Sequence, residues 1–178
     1  MAAATLTPTE DQVFDALFGW IARVLDLPND TPQLIKGFQN LTATPLESYV
    51  VVSPGMLQRQ DFGRKRYNAD LNRVEVEAHN TYRYQVDCYG PEGPSRASIL
   101  AVAWRSMWGV DNMATPVFFT PLYADAPQQL NIVNSEGQFE QRFMIGLFGQ
   151  VNQVVGLPQD FFDQIELHSL TIADQLPS

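Results

Sequence analysis

A chain of 178 residues, 45% hydrophobic and 11% aromatic, has the length of one domain and enough apolar side chain to bury a core, which excludes a disordered protein. Its net charge of −9, with a pI near 4.5, is the reverse of the balance that grips nucleic acid by its phosphates. Cys88 is the one cysteine, so no intrachain disulfide is available, and no run approaches the ~20 apolar residues of a membrane helix.

Thr7-Pro8-Thr9-Glu10 opens the first element. Thr7 is placed to cap, Pro8 takes the first helical position where its missing N–H costs nothing, and Glu10 completes a capping box. Val13, Phe14, Leu17, Phe18, Ile21, Val24 and Leu25 recur at helical spacing up to Pro28, which predicts an amphipathic helix lying on a sheet. Residues 1–12 lack a basic leader followed by an apolar stretch, so no signal peptide is expected and synthesis in a cytoplasm is. Residues 31–48 read as loop with a short turn about 32–38.

Tyr49-Val50-Val51-Val52 is β-branched and bounded by Pro54-Gly55, which predicts a strand. Then comes MLQRQDFGRKRYNADLN, where Arg59, Arg64, Lys65 and Arg66 gather around Gly63 with few core-forming residues between them. Residues 54–72 are read as an extended hairpin arm or mobile loop. The next stretch, RVEVEAHNTYRYQVDCYG from Arg73, alternates strictly. Val74, Val76, Ala78, Asn80, Tyr82, Tyr84, Val86 and Cys88 share one side. Glu75, Glu77, His79, Thr81, Arg83, Gln85, Asp87 and Tyr89 share the other. A period of two over this length predicts a long strand with one buried and one wet face, and puts the Cys88 thiol in the core.

Gly93-Pro94-Ser95 starts a second helix, with Ala97, Leu100, Ala101, Trp104 and Trp108 as its buried stripe and Gly109 as its terminator. From Val110 to Gly137 prolines interrupt the chain. Phe118 to Tyr123 is expected to hold a short strand, followed by a polar loop to Asn134. Residues 138–155 alternate again, which predicts a second long strand kinked at Gly146 and Gly149. A last strand is expected over Phe161 to Ile172, with a bulge near Ser169 where the phase slips, and a frayed tail after it. Runs of strands with few helices predict one α+β domain over 1–178, a mostly antiparallel sheet with long strands flanked by two main helices on one face.

Reactive chemistry is not indicated. His79 and His168 have no partner at metal-ligand spacing, and Glu75/Glu77 read as a solvated strand face more readily than as an acid–base pair. No phosphate loop, dinucleotide fingerprint or nucleophile elbow is present. Neither catalytic residues nor a cofactor are therefore expected. The basic group, with Phe62 and Tyr67 beside it, has two readings: a nucleic-acid finger with stacking aromatics, or a solvated loop that pairs with acidic patches on a neighbouring copy. The second is preferred, with Arg59, Phe62, Arg64, Lys65, Arg66 and Tyr67 as the contact. Head-to-tail docking of this kind closes into a ring.

Two blocks carry a family resemblance: QVDCYGPEGPSRASILAVAWRSMWG, and PLYADAPQQLNIVNSEGQFEQRFMIGLFGQVN. Their order and spacing, with the leading helix, resemble the neck or tail terminator proteins of long-tailed bacteriophages over most of the chain. The resemblance implies a virion protein forming a hexameric ring at the head–tail junction. That ring would cap the tail tube protein, dock on the head-side connector, and let genomic DNA pass through its centre without specific binding; a tail sheath is a further partner where the tail contracts. It carries no catalytic, metal or cofactor pattern. Glu75, Glu77 and Asp87 are the acids expected to face the lumen, where negative charge keeps DNA mobile. The alternatives are another head–tail connector or tail-completion component, or a monomeric nucleic-acid-binding domain.

Overall fold

The two alternating stretches form the two central strands of a single sheet in a computed structural model, which describes residues 3–28, 32–38, 45, 47–113, 118–133 and 139–158. The first half of the chain gives β1 (Thr5–Thr7), α1 (Glu10–Val24), β2 (Leu34–Lys36), β3 (Tyr49–Gln60), β4 (Arg64–Asn68) and β5 (Arg73–Tyr89). The second half gives α2 (Gly93–Trp104), α3 (Met107–Asp111), β6 (Phe119–Ala124), β7 (Gln128–Val133) and β8 (Phe139–Pro158).

β5 and β8 pair antiparallel along the whole of β5, from Arg73 opposite Pro158 to Tyr89 opposite Arg142. At about 3.4 Å per residue this ribbon is roughly 55 Å long. Shorter strands line its two edges in series. β3 and then β4 run along the outer edge of β5, while β1, β6 and β7 share the outer edge of β8. β2 adds to β3 in parallel, the one parallel pairing of the sheet among the described residues. The fold is α+β with a mostly antiparallel sheet, as the alternation predicts.

The side chains of β5 at even positions face the helices. Tyr84, Val86 and Cys88 are buried there with Ile145, Leu147 and Val151 of β8 and with Phe14, Leu17, Trp20 and Ile21 of α1. Two tryptophans tie the helix layer together and to the sheet. Trp20 and Trp104 pack edge to face at 4.9 Å, Trp20 Nε1 donates to the Gly109 carbonyl at 3.0 Å, and Trp104 Nε1 donates to the Phe148 carbonyl at 2.9 Å. Each indole thus buries its ring while its N–H is satisfied.

Several local expectations give way to better chemistry. α1 starts two residues later than its predicted cap. Thr9, not Thr7, closes the capping box, its hydroxyl accepting from Gln12 N–H while its own N–H donates to Gln12 Oε1 at 2.9 Å. Thr7 belongs instead to β1. The second helix breaks at Trp104, because the Ser106 side chain caps the separate turn α3; Gly109 lies inside α3, and Trp108 is 45% exposed. Pro54-Gly55 does not end β3, which passes through a register shift there while the Tyr84 ring packs against Gly55. The loop expected up to Asn134 contains β7, and the turn about 32–38 contains β2. Gly146 and Gly149 admit neighbours: the Arg83–Asp125 pair lies over Gly146 and the Phe119 ring over Gly149. The strand expected over 161–172, its bulge and the tail after it lie outside the described residues, as does His168.

Candidate assembly surface

β4 brings the basic cluster onto the outer edge of β5, beyond the reach of the core. The register sets Arg64 opposite Glu77, Lys65 opposite Val76, Arg66 opposite Glu75, and Tyr67 opposite Val74. Alternation then sorts these side chains. Arg64 and Arg66 share the polar side of the sheet with Glu75 and Glu77, while Lys65 and Tyr67 share the helix side with Val74 and Val76. The basic group and two of the three expected lumen acids are therefore cross-strand neighbours. This polar side is charge-balanced at its end, not a bare acidic wall.

Glu75 is the best-held of these acids. Arg73 donates to its Oε1 through Nε at 3.1 Å and Nη2 at 2.9 Å, and Asn68 Nδ2 donates to the same oxygen at 3.0 Å. Hydrogen bonds from Arg73, then from Asn68, hold its carboxyl below the usual carboxylate range, with Arg66 adding in the same direction. The turn that returns the chain from β4 to β5 uses Asn68 and Asn72. Asn68 Oδ1 accepts from Leu71 N–H at 3.3 Å, and Asn72 takes the left-handed conformation that asparagine tolerates, at φ 45°. Tyr67 Oη donates to Asn72 Oδ1 at 2.8 Å, which fixes the ring on the helix side. Phe62, at the corner between β3 and β4, is fully exposed. The side chain of Arg59 lies outside the described residues.

Asp87 does not match the expectation of a wet face. It is 2% exposed, at the opposite end of β5, and Arg142 Nε donates to its Oδ1 at 2.9 Å while Gln85 Nε2 donates to Oδ2 at 2.8 Å. Arg142 pairs with Tyr89 in the register, so it reaches Asp87 diagonally and closes it off. The sequence shows the acid on the polar phase, but not an arginine 55 residues later folding over it.

The other cations of the body have internal partners. Lys36 pairs with Asp11, Arg83 with Asp125, and Arg96 with Glu92. Arg23 donates to the Asn112 carbonyl and Arg105 to the Ala124 carbonyl. β4, whose Arg64, Lys65, Arg66 and Tyr67 are all exposed, is the outlying basic strand of an acidic chain.

Two exposed apolar surfaces escaped the sequence reading. The outer side of α2 and α3 shows Ile99, Val102, Met107 and Trp108, the last three 70%, 73% and 45% exposed. From Gly93 to Trp104 the single charged residue is Arg96, and a helix apolar on every side is normally covered on every side. That signal was available in the sequence. The second surface, on the helix side of the β4 end of the sheet, depends on strand register and was not.

Among the described residues no group of three or more His, Cys, Asp or Glu side chains is placed to hold a metal ion, and no helix is long and apolar enough to cross a membrane. The arrangement offers charge and shape to other proteins. No curated protein matches the chain. A family model described as phage neck terminator protein matches residues 11–172.

Proposed function

The chain belongs to the phage neck terminator family and is a structural component of the phage neck, and from that premise we propose that identical copies close into a hexameric ring at the head–tail junction. The ring caps the tail tube, stops its growth, and docks on the head-side connector. The observation that carries this reading is the outlying basic strand β4 on a chain of net charge −9. Such a chain complements itself head to tail, and repeated head-to-tail contacts form a closed ring when the rotation between copies closes. The exposed apolar side of α2 and α3 supplies a further surface for the tube, the connector or the sheath of a contractile tail.

Helices cover one side of the sheet, and the other side is mostly polar and hydrogen-bonded. We assign that polar side to the channel through which DNA moves. Glu75 and Glu77 are its acids, each balanced by an arginine on β4, so the channel lining presents matched charges that neither grip nor block a duplex. Asp87 contributes to the fold of this side and not to its exposed charge. The reading is tested by imaging purified virions with the chain labelled. Density for it as a ring between head and tail is the expected result; its absence from the junction overturns the proposal.

A further inference from the structure

At the end of the sheet away from β4, Tyr49 and Tyr89 are cross-strand partners of β3 and β5, their rings stacked with centroids 4.5 Å apart and planes 6° from parallel. Together with Pro91, Phe139, Glu47 and Glu140 they line a cleft of about 380 Å³. Phe139 is 80% exposed beside it. Among the described residues no Lys or Arg lines this cleft, and Arg142, which lies over the Tyr89 ring, is held by Asp87. Burial, then the neighbouring Tyr89 and Glu140, push the Tyr49 phenol up to about 12, so it stays neutral and the charge of the cleft is that of its carboxylates. An aromatic cleft that carries acids and no cation suits an exposed aromatic side chain with cations beside it.

We propose that this cleft receives the β3–β4 corner of a second copy, Phe62 with Arg64 and Lys65. The inference rests on the head-to-tail reading above and names the surface on which the basic strand docks. Phe62 is fully exposed, and a side chain at Gly63 would collide with Val76, so the corner lies tight against β5 while the Phe62 ring stands in solvent. Arg64, Lys65 and Arg66 follow it without an acid among them. The corner thus offers a ring to Tyr49, Tyr89 and Phe139, and positive charge to Glu47 and Glu140. Apolar and charge complementarity coincide. The occupant comes from another molecule, because Arg64 stands opposite Glu77, roughly 40 Å along β5 from Tyr89, and a chain's own corner does not reach its own cleft. A donor at one end of the sheet and an acceptor at the other make a heterologous contact, the kind that repeats around a ring.

The test replaces Phe62 with the photo-crosslinking residue p-benzoylphenylalanine in the full chain, and mixes light- and heavy-isotope copies at low ionic strength before irradiation. The expected product joins position 62 to a peptide containing Glu47 and Tyr49, Tyr89 and Pro91, or Phe139 and Glu140, with mixed labels at the statistical ratio. Copies that associate but crosslink elsewhere, or a crosslink to added tail-tube protein instead, overturn this inference and leave the ring reading standing. A chain that stays single at every salt and on tail tubes overturns both. In a second measurement, a cleft variant, Glu47→Gln/Glu140→Gln, and a corner variant, Phe62→Ser/Arg64→Ser, are made separately, with circular dichroism confirming the sheet. Each alone should associate about tenfold or more weakly than the parent. Mixed, they should form a 1:1 pair and nothing larger, because the intact corner of the first meets the intact cleft of the second. A variant that associates like the parent, or a mixture no better than its components, contradicts the contact.

Discussion

Arg142 and Asp87 meet diagonally across β5 and β8, on the side of the sheet away from the helices, with Nε 2.9 Å from Oδ1. The Asp87 side chain is 4% exposed and that of Arg142 24%, so the aspartate depends on its partner more than the arginine does. Removing one member of a fully buried pair costs about 3–5 kcal/mol, and the partly solvated arginine lowers the figure here to about 2 kcal/mol. Arg142→Leu should lose about that much stability in urea unfolding. The double variant Asp87→Leu/Arg142→Leu should recover most of it. A single variant as stable as the parent would mean that solvent already reaches Asp87.

Glu75 sets a pH dependence whose sign follows from its partners. Its carboxyl titrates below the ordinary value of 4.5 in the folded chain because Arg73 and Asn68 donate to it. A group with a depressed folded pKa stabilises fully above its unfolded value, and that contribution disappears as pH falls through the folded pKa. Glu75→Gln should therefore lower stability slightly above the unfolded value and leave it nearly unchanged only at pH values below the depressed folded pKa, flattening the acid limb of the profile. Parallel profiles for the two proteins would contradict the bonding at this site.

Burial among Val50, Val86 and the α2 side chains pushes the Cys88 thiol up to about 12, so almost no thiolate exists near neutrality. The folded chain should react with the disulfide reagent DTNB at pH 8 at least ~100-fold more slowly than the unfolded chain. A rapid reaction in the native state would place Cys88 at the surface.

The cross-strand pairs Arg64–Glu77 and Arg66–Glu75 separate folding from assembly. Exchanging the charges, with Arg64→Glu, Arg66→Glu, Glu75→Arg and Glu77→Arg together, preserves opposite signs across the two strands but reverses the outlying edge. The sheet should still form, since exposed pairs are worth little individually, while association of copies should be lost. Retained association would remove β4 from the subunit contact.

The strict alternation in 73–90 and 138–155 is enough to read the sheet from the sequence, because one face of each long strand is apolar. What alternation does not contain is register. Only pairing reveals that Arg66 sits beside Glu75, that Arg142 closes over Asp87, and that Leu6 continues a row begun at Lys65. Short strands are the other gap. Leu34–Lys36 and Gln128–Val133 are held by the edges of longer neighbours, and their own side chains give no periodic signal of adequate length. Helix ends fail for a related reason, since Thr7 and Thr9 are equally good caps until a hydrogen bond to Gln12 chooses between them.

The most direct measurement is the mass of the purified chain in solution across a range of salt. Self-complementary closure predicts a species near 120 kDa, six copies of a 20.0 kDa chain, at low ionic strength. It should dissociate as salt screens the contact between β4 and the acidic flank of the next copy. A 20.0 kDa species at every concentration and salt, with tail tubes added, would contradict it.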